Sequence, residues 1–103
     1  MFVYIKCYTS EHMEQKIEEL ISRHPEWVYA EGVLSGSWKV ENFVAVRELV
    51  SALCVLADEL NHHPTVTFGY NTLKVDTTTH DAGNTVTQKD IDLALRISAL
   101  LEK

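Results

Sequence analysis

Only two prolines occur in the 103 residues, Pro25 and Pro64, and each closes an amphipathic helical pattern. A proline disfavours the helical region for the residue before it. The chain is therefore cut into three helical stretches with extended sequence between them. In the first, Ser10 is the expected N-cap, and Met13, Ile17, Leu20, Ile21 and His24 recur at spacings of three and four. In the second, Asn42 precedes the stripe Phe43, Val46, Val50, Leu53, Ala57 and Leu60, which Leu49, Leu56 and Cys54 widen. In the third, Thr87 and Asp90 stand at the N-cap and N3 spacing of a capping box. Ile91, Ala94, Leu95, Ser98 and Leu101 follow as the expected inner face.

After each proline comes a pair of β-patterned segments. Residues 27–31 and 33–40 flank Gly32, and residues 65–70 and 72–79 flank Asn71, so each pair reads as a hairpin. In the last segment Leu73, Val75, Thr77 and Thr79 share one face, and Lys74, Asp76, Thr78 and His80 share the other. The order helix, two strands, helix, two strands, helix predicts an α+β two-layer sandwich. Its four-stranded antiparallel sheet carries three helices on one face. Residues 2–8 are expected as an additional N-terminal edge strand, and residues 1–103 as a single domain.

Composition narrows the function. Hydrophobic residues make up 46% and charged residues 23%, as in a folded globular chain. A net charge of −6 argues against a surface that neutralises nucleic-acid phosphates. No apolar run approaches the length of about 20 residues that spans a bilayer. The N-terminus lacks the basic start and apolar stretch of a signal peptide. Cys7 and Cys54 suggest neither a disulfide framework nor a zinc spacing. They are expected to be reduced thiols of a cytoplasmic protein, with Cys54 packed in the core.

The chemistry is carried by three of the five histidines. His62 and His63 end the second helix just before Pro64, and His80 ends the last strand. A strand that leaves the helix end and returns through a hairpin brings its far end back to that corner. All three imidazoles are then candidates for general acid/base chemistry near neutral pH, and His62 and His80 are expected to be reachable by solvent. Two other readings remain open here. A helix C-terminus favours cationic side chains without any function. Three imidazoles are also a zinc donor set, although adjacent helical residues point about 100° apart. His12 and His24 read as surface residues, one on a turn and one near a helix end. No Gly-rich phosphate loop or nucleophile elbow is present.

Residues 58–64, Asp-Glu-Leu-Asn-His-His-Pro, are followed by Tyr70, by Thr79-His80-Asp81-Ala82-Gly83 and by Asp90. This combination resembles the signature of the pterin-4a-carbinolamine dehydratases, and the likeness spans about residues 11–102. Trp27 resembles the family's tryptophan at the start of the first strand. Trp38, Val40 and Phe43 fall where the family carries spaced aromatics. The resemblance implies removal of water from 4a-hydroxytetrahydropterin to give quinonoid dihydropterin, with no metal and no organic cofactor. It implies His62 and His80 as the acid/base pair, with His63 holding the pterin. Asp58 would orient a histidine, and Asn61, Thr78, Thr79 and Trp27 would contact the substrate. Asp90, Pro64 and Tyr70 would serve structural or supporting roles. The family also implies a homodimer or homotetramer. Some relatives act as dimerisation partners of a transcription factor or assist assembly of a large enzyme, so a protein partner is the alternative role. This chain departs from the pattern at Val66, where many members carry an aromatic, at Asn61, and in a loop from His80 to Asp90 that is one residue longer than usual.

Overall fold

The computed structural model describes the backbone of residues 2–101 and the side chains of residues 13–101. The elements run α1 (Phe2–Arg23), β1 (Trp27–Ala30), β2 (Val33–Lys39), α2 (Phe43–Leu60), β3 (Thr65–Phe68), β4 (Thr72–Thr77) and α3 (Gln88–Leu101). A single 3-10 turn, His80–Ala82, lies between β4 and α3. The four strands form one antiparallel sheet in the order β1-β2-β4-β3. This is the α+β sandwich expected from the two prolines.

The sheet buries one face. In the central pair Leu34 lies opposite Thr77, Gly36 opposite Val75 and Trp38 opposite Leu73. These inward positions form a core with Ile17 and Leu20 of α1, Leu53 and Leu56 of α2, and Ile91, Leu93, Ala94 and Ile97 of α3. Trp27 is fully buried and meets Trp38 edge to face, with ring centroids 5.3 Å apart. Gly36 makes room for the pair, since a Cβ there would stand 2.9 Å from Trp27 Cδ2. The Trp27 indole N–H donates to Ser98 Oγ at 2.7 Å, and Ser98 donates to Glu26 at 2.9 Å. A buried indole N–H needs such a partner.

Local signals explain the ends of the elements. Asn42 caps α2 by accepting from the Ala45 N–H at 2.9 Å. Asn61 leaves the helix in the left-handed region at φ 52°. The Asn61 N–H then bonds the Asp58 carbonyl, and the His62 N–H bonds the Ala57 carbonyl. That pairing is a Schellman motif, in which asparagine is the usual substitute for glycine. In the β1–β2 turn Glu31 and Gly32 both have positive φ, 52° and 79°, matching the twist of a two-residue hairpin.

Five expectations are corrected. Residues 2–8 are not an edge strand, and Ser10 is not a cap, because both lie inside α1. Extending an existing helix adds one hydrogen bond per residue without a new nucleus, and this overrides the β propensity of Phe2, Val3, Tyr4 and Ile5. His12 also falls within α1 rather than on a turn, and its side chain lies outside the described residues. The inner face of α3 uses Leu93 and Ile97, while Leu95 is exposed. Cys54 is exposed rather than packed, because Leu53, Leu56 and Ala57 supply the buried stripe of α2.

Candidate active site

The end of α2 and the end of β4 meet at one corner of the sheet. Asn61, His62, His63, Thr78, Thr79, His80, Asp81 and Lys89 line a polar depression there of about 290 Å³. The hairpin geometry expected from the sequence thus brings all three imidazoles together. Each enters from a different local device. His62 follows the left-handed Asn61 and turns inward, and its side chain is only 11% exposed. This corrects the expectation of a solvent-reachable His62. His63 comes next and points outward, at 62% exposure. His80 opens the 3-10 turn and is exposed.

Every one of the three rings is held at one nitrogen. His62 Nε2 donates to Asp90 Oδ1 at 2.6 Å, and His63 Nε2 donates to Asp58 Oδ1 at 3.0 Å. His80 Nδ1 lies 2.7 Å from Asn84 Oδ1, an oxygen that only accepts, so that nitrogen carries the proton. Among the described residues, the remaining nitrogen of each ring, Nδ1 of His62 and His63 and Nε2 of His80, has no such anchor.

Asp90 is the buried centre of this arrangement, with no exposed surface. Its Oδ1 accepts from His62 and from the Thr77 hydroxyl. Its Oδ2 accepts from the Thr79 hydroxyl at 2.6 Å and from the Thr87 N–H at 2.9 Å. Burial alone would push its carboxyl up. The hydrogen bonds from Thr77, Thr79, His62 and the Thr87 backbone outweigh burial and hold it below the ordinary value of 3.8. Asp90 therefore caps α3, as the capping-box spacing indicated, and with its other oxygen fixes the ring of His62.

The threonines bind the site together from within. Thr79 Oγ1 pairs with Thr87 Oγ1 at 2.8 Å as well as with Asp90. Thr78 Oγ1 donates to the Gly32 carbonyl at 2.7 Å, tying the β1–β2 turn to the site. That turn presses on the His80 loop, because a Cβ on Gly32 would overlap the Asn84 carbonyl oxygen. Asn84 itself sits at φ 58°.

Trp27, expected to contact the substrate, and Tyr70, expected in a supporting role, both lie away from the depression. Trp27 starts the opposite edge strand and is sealed in the core, so it does not line the depression. Tyr70 lies in the β3–β4 turn, four strand residues away from Pro64, and is 71% exposed, stacked on Phe43. Asp58 touches His63 rather than the depression. Asn84 and Lys89 were missed. Asn84 carries the signal of an asparagine four residues after His80 in a turn, where left-handed backbone is common. Lys89 gives no signal beyond its place beside Asp90. Among the described residues, no group of three His, Cys, Asp or Glu side chains is arranged to hold a metal ion. No helix is long and apolar enough to cross a membrane, again among the described residues.

The sequence model of the pterin 4 alpha carbinolamine dehydratase family matches residues 10–100. Relatives that carry the family's name include two that match most of this chain. One, from Streptomyces coelicolor, is 35% identical over 84% of this chain and 85% of its own. The other, from Picosynechococcus, is 37% identical over 79% of this chain and 87% of its own. A Brucella melitensis crystal structure, described as a transcriptional coactivator/pterin dehydratase, superimposes with a TM-score of 0.74 at 26% identity. It covers 84% of this chain and 93% of that one. A pterin dehydratase-like protein identified as a RuBisCO assembly factor shares the fold, with a TM-score of 0.62 at 19% identity.

Proposed function

The chain belongs to the pterin-4a-carbinolamine dehydratase family, and from that premise we propose that it dehydrates 4a-hydroxytetrahydropterin at the three-histidine depression. The observation that carries this reading is the anchoring of all three rings. Each of His62, His63 and His80 is fixed at one nitrogen by a side-chain oxygen and keeps the other for the ligand.

The reaction needs one proton delivered and one removed. The hydroxyl on C4a leaves as water once protonated. As the C4a–O bond breaks, the N5–H electron pair forms the N5=C4a double bond and the proton on N5 is taken up. His62, backed by the Asp90 carboxylate, delivers the proton to the hydroxyl, because the carboxylate compensates a positive ring. His80, with Nδ1–H committed to Asn84, presents Nε2 as the acceptor for the N5 proton. His63 holds the ring. Two groups positioned in this way typically contribute about 10²–10⁴-fold each. Asn61, Thr78 and Thr79 supply backbone and side-chain contacts to the pterin, no metal or organic cofactor takes part, and the setting is cytoplasmic. The test is to generate 4a-hydroxytetrahydropterin with an aromatic hydroxylase and follow its ultraviolet decay above pH 8. Faster decay with the protein supports the reading, and an unchanged decay with folded protein rejects it.

A second role, contact with another protein chain, is favoured by one observation. Phe43, Phe68 and Tyr70 form an exposed aromatic cluster, 42%, 49% and 71% accessible, at the opposite end of α2 from the histidines. The 18 residues of α2 separate the two by about 27 Å. β3 alongside is an edge strand, and edges left unpaired invite partners. The expected homodimer or homotetramer, or a separate protein partner, would build on this face and leave the depression open. Sedimentation of Phe68→Lys against the parent tests it, and an unchanged oligomeric state removes the face from that role.

A further inference from the structure

We propose that Asn84 is a positioning residue for the proton-accepting histidine. Its neutral amide holds His80 in the tautomer that accepts a proton, where a carboxylate would favour the protonated, donating ring. This role rests on the reading of the depression as a pterin site and deepens it: the anchors, rather than the rings, set the direction of proton flow.

The three imidazoles are chemically alike, and their anchors are not. His62 is bound to Asp90 and His63 to Asp58, and a carboxylate partner favours the charged ring. His80 is bound to a carboxamide, Asn84, at 2.7 Å. An amide oxygen accepts the Nδ1 proton without adding charge, so it selects a tautomer without favouring the cation. The selected tautomer is the less favoured one, because an unanchored histidine ring prefers its proton on Nε2. Without Asn84, Nε2 would carry a proton and could not take the one on N5. With it, the N5–H bond breaks as an Nε2–H bond forms. The N5–H electron pair closes the N5=C4a bond, and the C4a hydroxyl leaves as water with the proton from His62. His80 then returns its proton to solvent and His62 regains one, so the cycle balances.

The backbone holds Asn84 in this place. Its N–H donates to the Thr79 carbonyl at 3.1 Å, and the Thr79 N–H donates to the Thr85 carbonyl at 2.9 Å. Residues 79–85 therefore close on themselves and fix position 84 relative to His80. Gly32 of the β1–β2 turn packs against the Asn84 carbonyl from outside. The depression is lined by His62, His63, Asp81 and Lys89 beside His80, and Asn84 stands behind the ring rather than in that wall. It acts on the substrate through His80. Position 84 also falls in the loop where this chain departs from the family pattern, so the resemblance gives it no role.

The experiment compares the full chain with Asn84→Gly and Asn84→Asp, two residues that tolerate the left-handed backbone at φ 58°. Nitrogen-15 spectra above pH 8 read the His80 tautomer, and the dehydration rate is followed against pH with the uncatalysed rate subtracted. His62, His63, Asp81 and Lys89 are the same in all three proteins, so any difference comes from position 84. We expect the proton on Nδ1 in the parent and in Asn84→Asp, and on Nε2 in Asn84→Gly. Asn84→Gly should lose about twofold to tenfold in kcat, the worth of one neutral hydrogen bond, and keep its affinity for a dihydropterin. Asn84→Asp should restore the rate at the alkaline plateau. Its carboxylate favours the charged ring, so the acid limb of its profile should move up by about half a pH unit. A parent ring with its proton on Nε2 would overturn the inference, as would a loss in Asn84→Gly confined to affinity. An Asn84→Asp profile that matches the parent's would also overturn it, and that readout stands even if Asn84→Gly does not fold. In each of these cases an active parent leaves the pterin reading intact. A folded parent that does not dehydrate the substrate would reject that reading, and the role of Asn84 with it.

Discussion

Replacing Asp90 with asparagine tests whether one buried carboxylate both caps α3 and sets the proton of His62. The side chain keeps its shape but exchanges one oxygen for a donor. Four donors now face the carboxylate, two on each oxygen. The Thr87 N–H cannot turn away, so the amide oxygen must take the Oδ2 side and the NH₂ must face His62 and Thr77. The Thr77 hydroxyl can rotate and accept. His62 can accept only by moving its proton from Nε2 to Nδ1. A buried donor without its acceptor costs about 1–3 kcal/mol, and one to two groups are affected. We therefore expect a loss of about 2–3 kcal/mol, or a fall in Tm of roughly 10–20 °C at about 4–8 °C per kcal/mol for a domain of this size. Nitrogen-15 spectra of the imidazoles should show the His62 proton on Nε2 in the parent and on Nδ1 in Asp90→Asn, with turnover reduced. The sign of the pH dependence follows from the same group. Its folded pKa lies below the ordinary 3.8, so its stabilisation is complete above about 3.8 and is lost as pH falls through the folded value. The stability gap between parent and variant should close in that acid range. A variant with parental Tm and an unchanged His62 tautomer would refute the reasoning.

Three further outcomes follow from the geometry. Gly32→Ala adds a Cβ that overlaps the Asn84 carbonyl, at a positive φ; it should displace the His80 loop and lower kcat more than it raises KM, and unaltered kinetics with a shifted Tm would limit Gly32 to a folding role. Gly36→Ala pushes a methyl into the Trp27–Trp38 pair; overpacking of this kind costs about 1–3 kcal/mol, read by chemical denaturation, and no loss would mean the pair can slide apart. Ser98→Ala leaves the buried Trp27 indole N–H without its acceptor; the expected cost is about 1–3 kcal/mol, checked by thermal melting together with the near-ultraviolet tryptophan signal, and a parental melt would show that the indole finds another partner.

Much of the architecture was legible because its determinants are local. Pro25, Pro64, Gly32 and Asn71 mark where the chain turns, and the alternation from Leu73 to His80 sets which face of β4 is buried. The meeting of His62, His63 and His80 followed from one topological step, a hairpin returning to the helix it left. What could not be read depends on tertiary register. The spacing of Thr87 and Asp90 shows a cap, but nothing in it shows that the free carboxylate oxygen reaches His62, 28 positions earlier. Trp27 has the residue type of a pocket wall, yet the room left by Gly36 and the acceptor on Ser98 draw it into the core. Tyr70 lies six residues after Pro64, and β3 carries it to Phe43, so its supporting role is not at the histidines. The first residues of α1 are strand-like in composition, and a helix already nucleated downstream absorbs them.

The central claim is that His80 takes a proton from the pterin while contributing little to the fold. The most direct measurement is the decay rate of 4a-hydroxytetrahydropterin above pH 8 with saturating parent protein and with His80→Ala, alongside the affinity of each for a dihydropterin. His80 is exposed, and among the described residues its side chain is anchored through Asn84, so the variant should keep its Tm and most of its affinity. Its rate should fall by about 10²–10⁴-fold. A His80→Ala protein that dehydrates the substrate as fast as the parent would contradict the account.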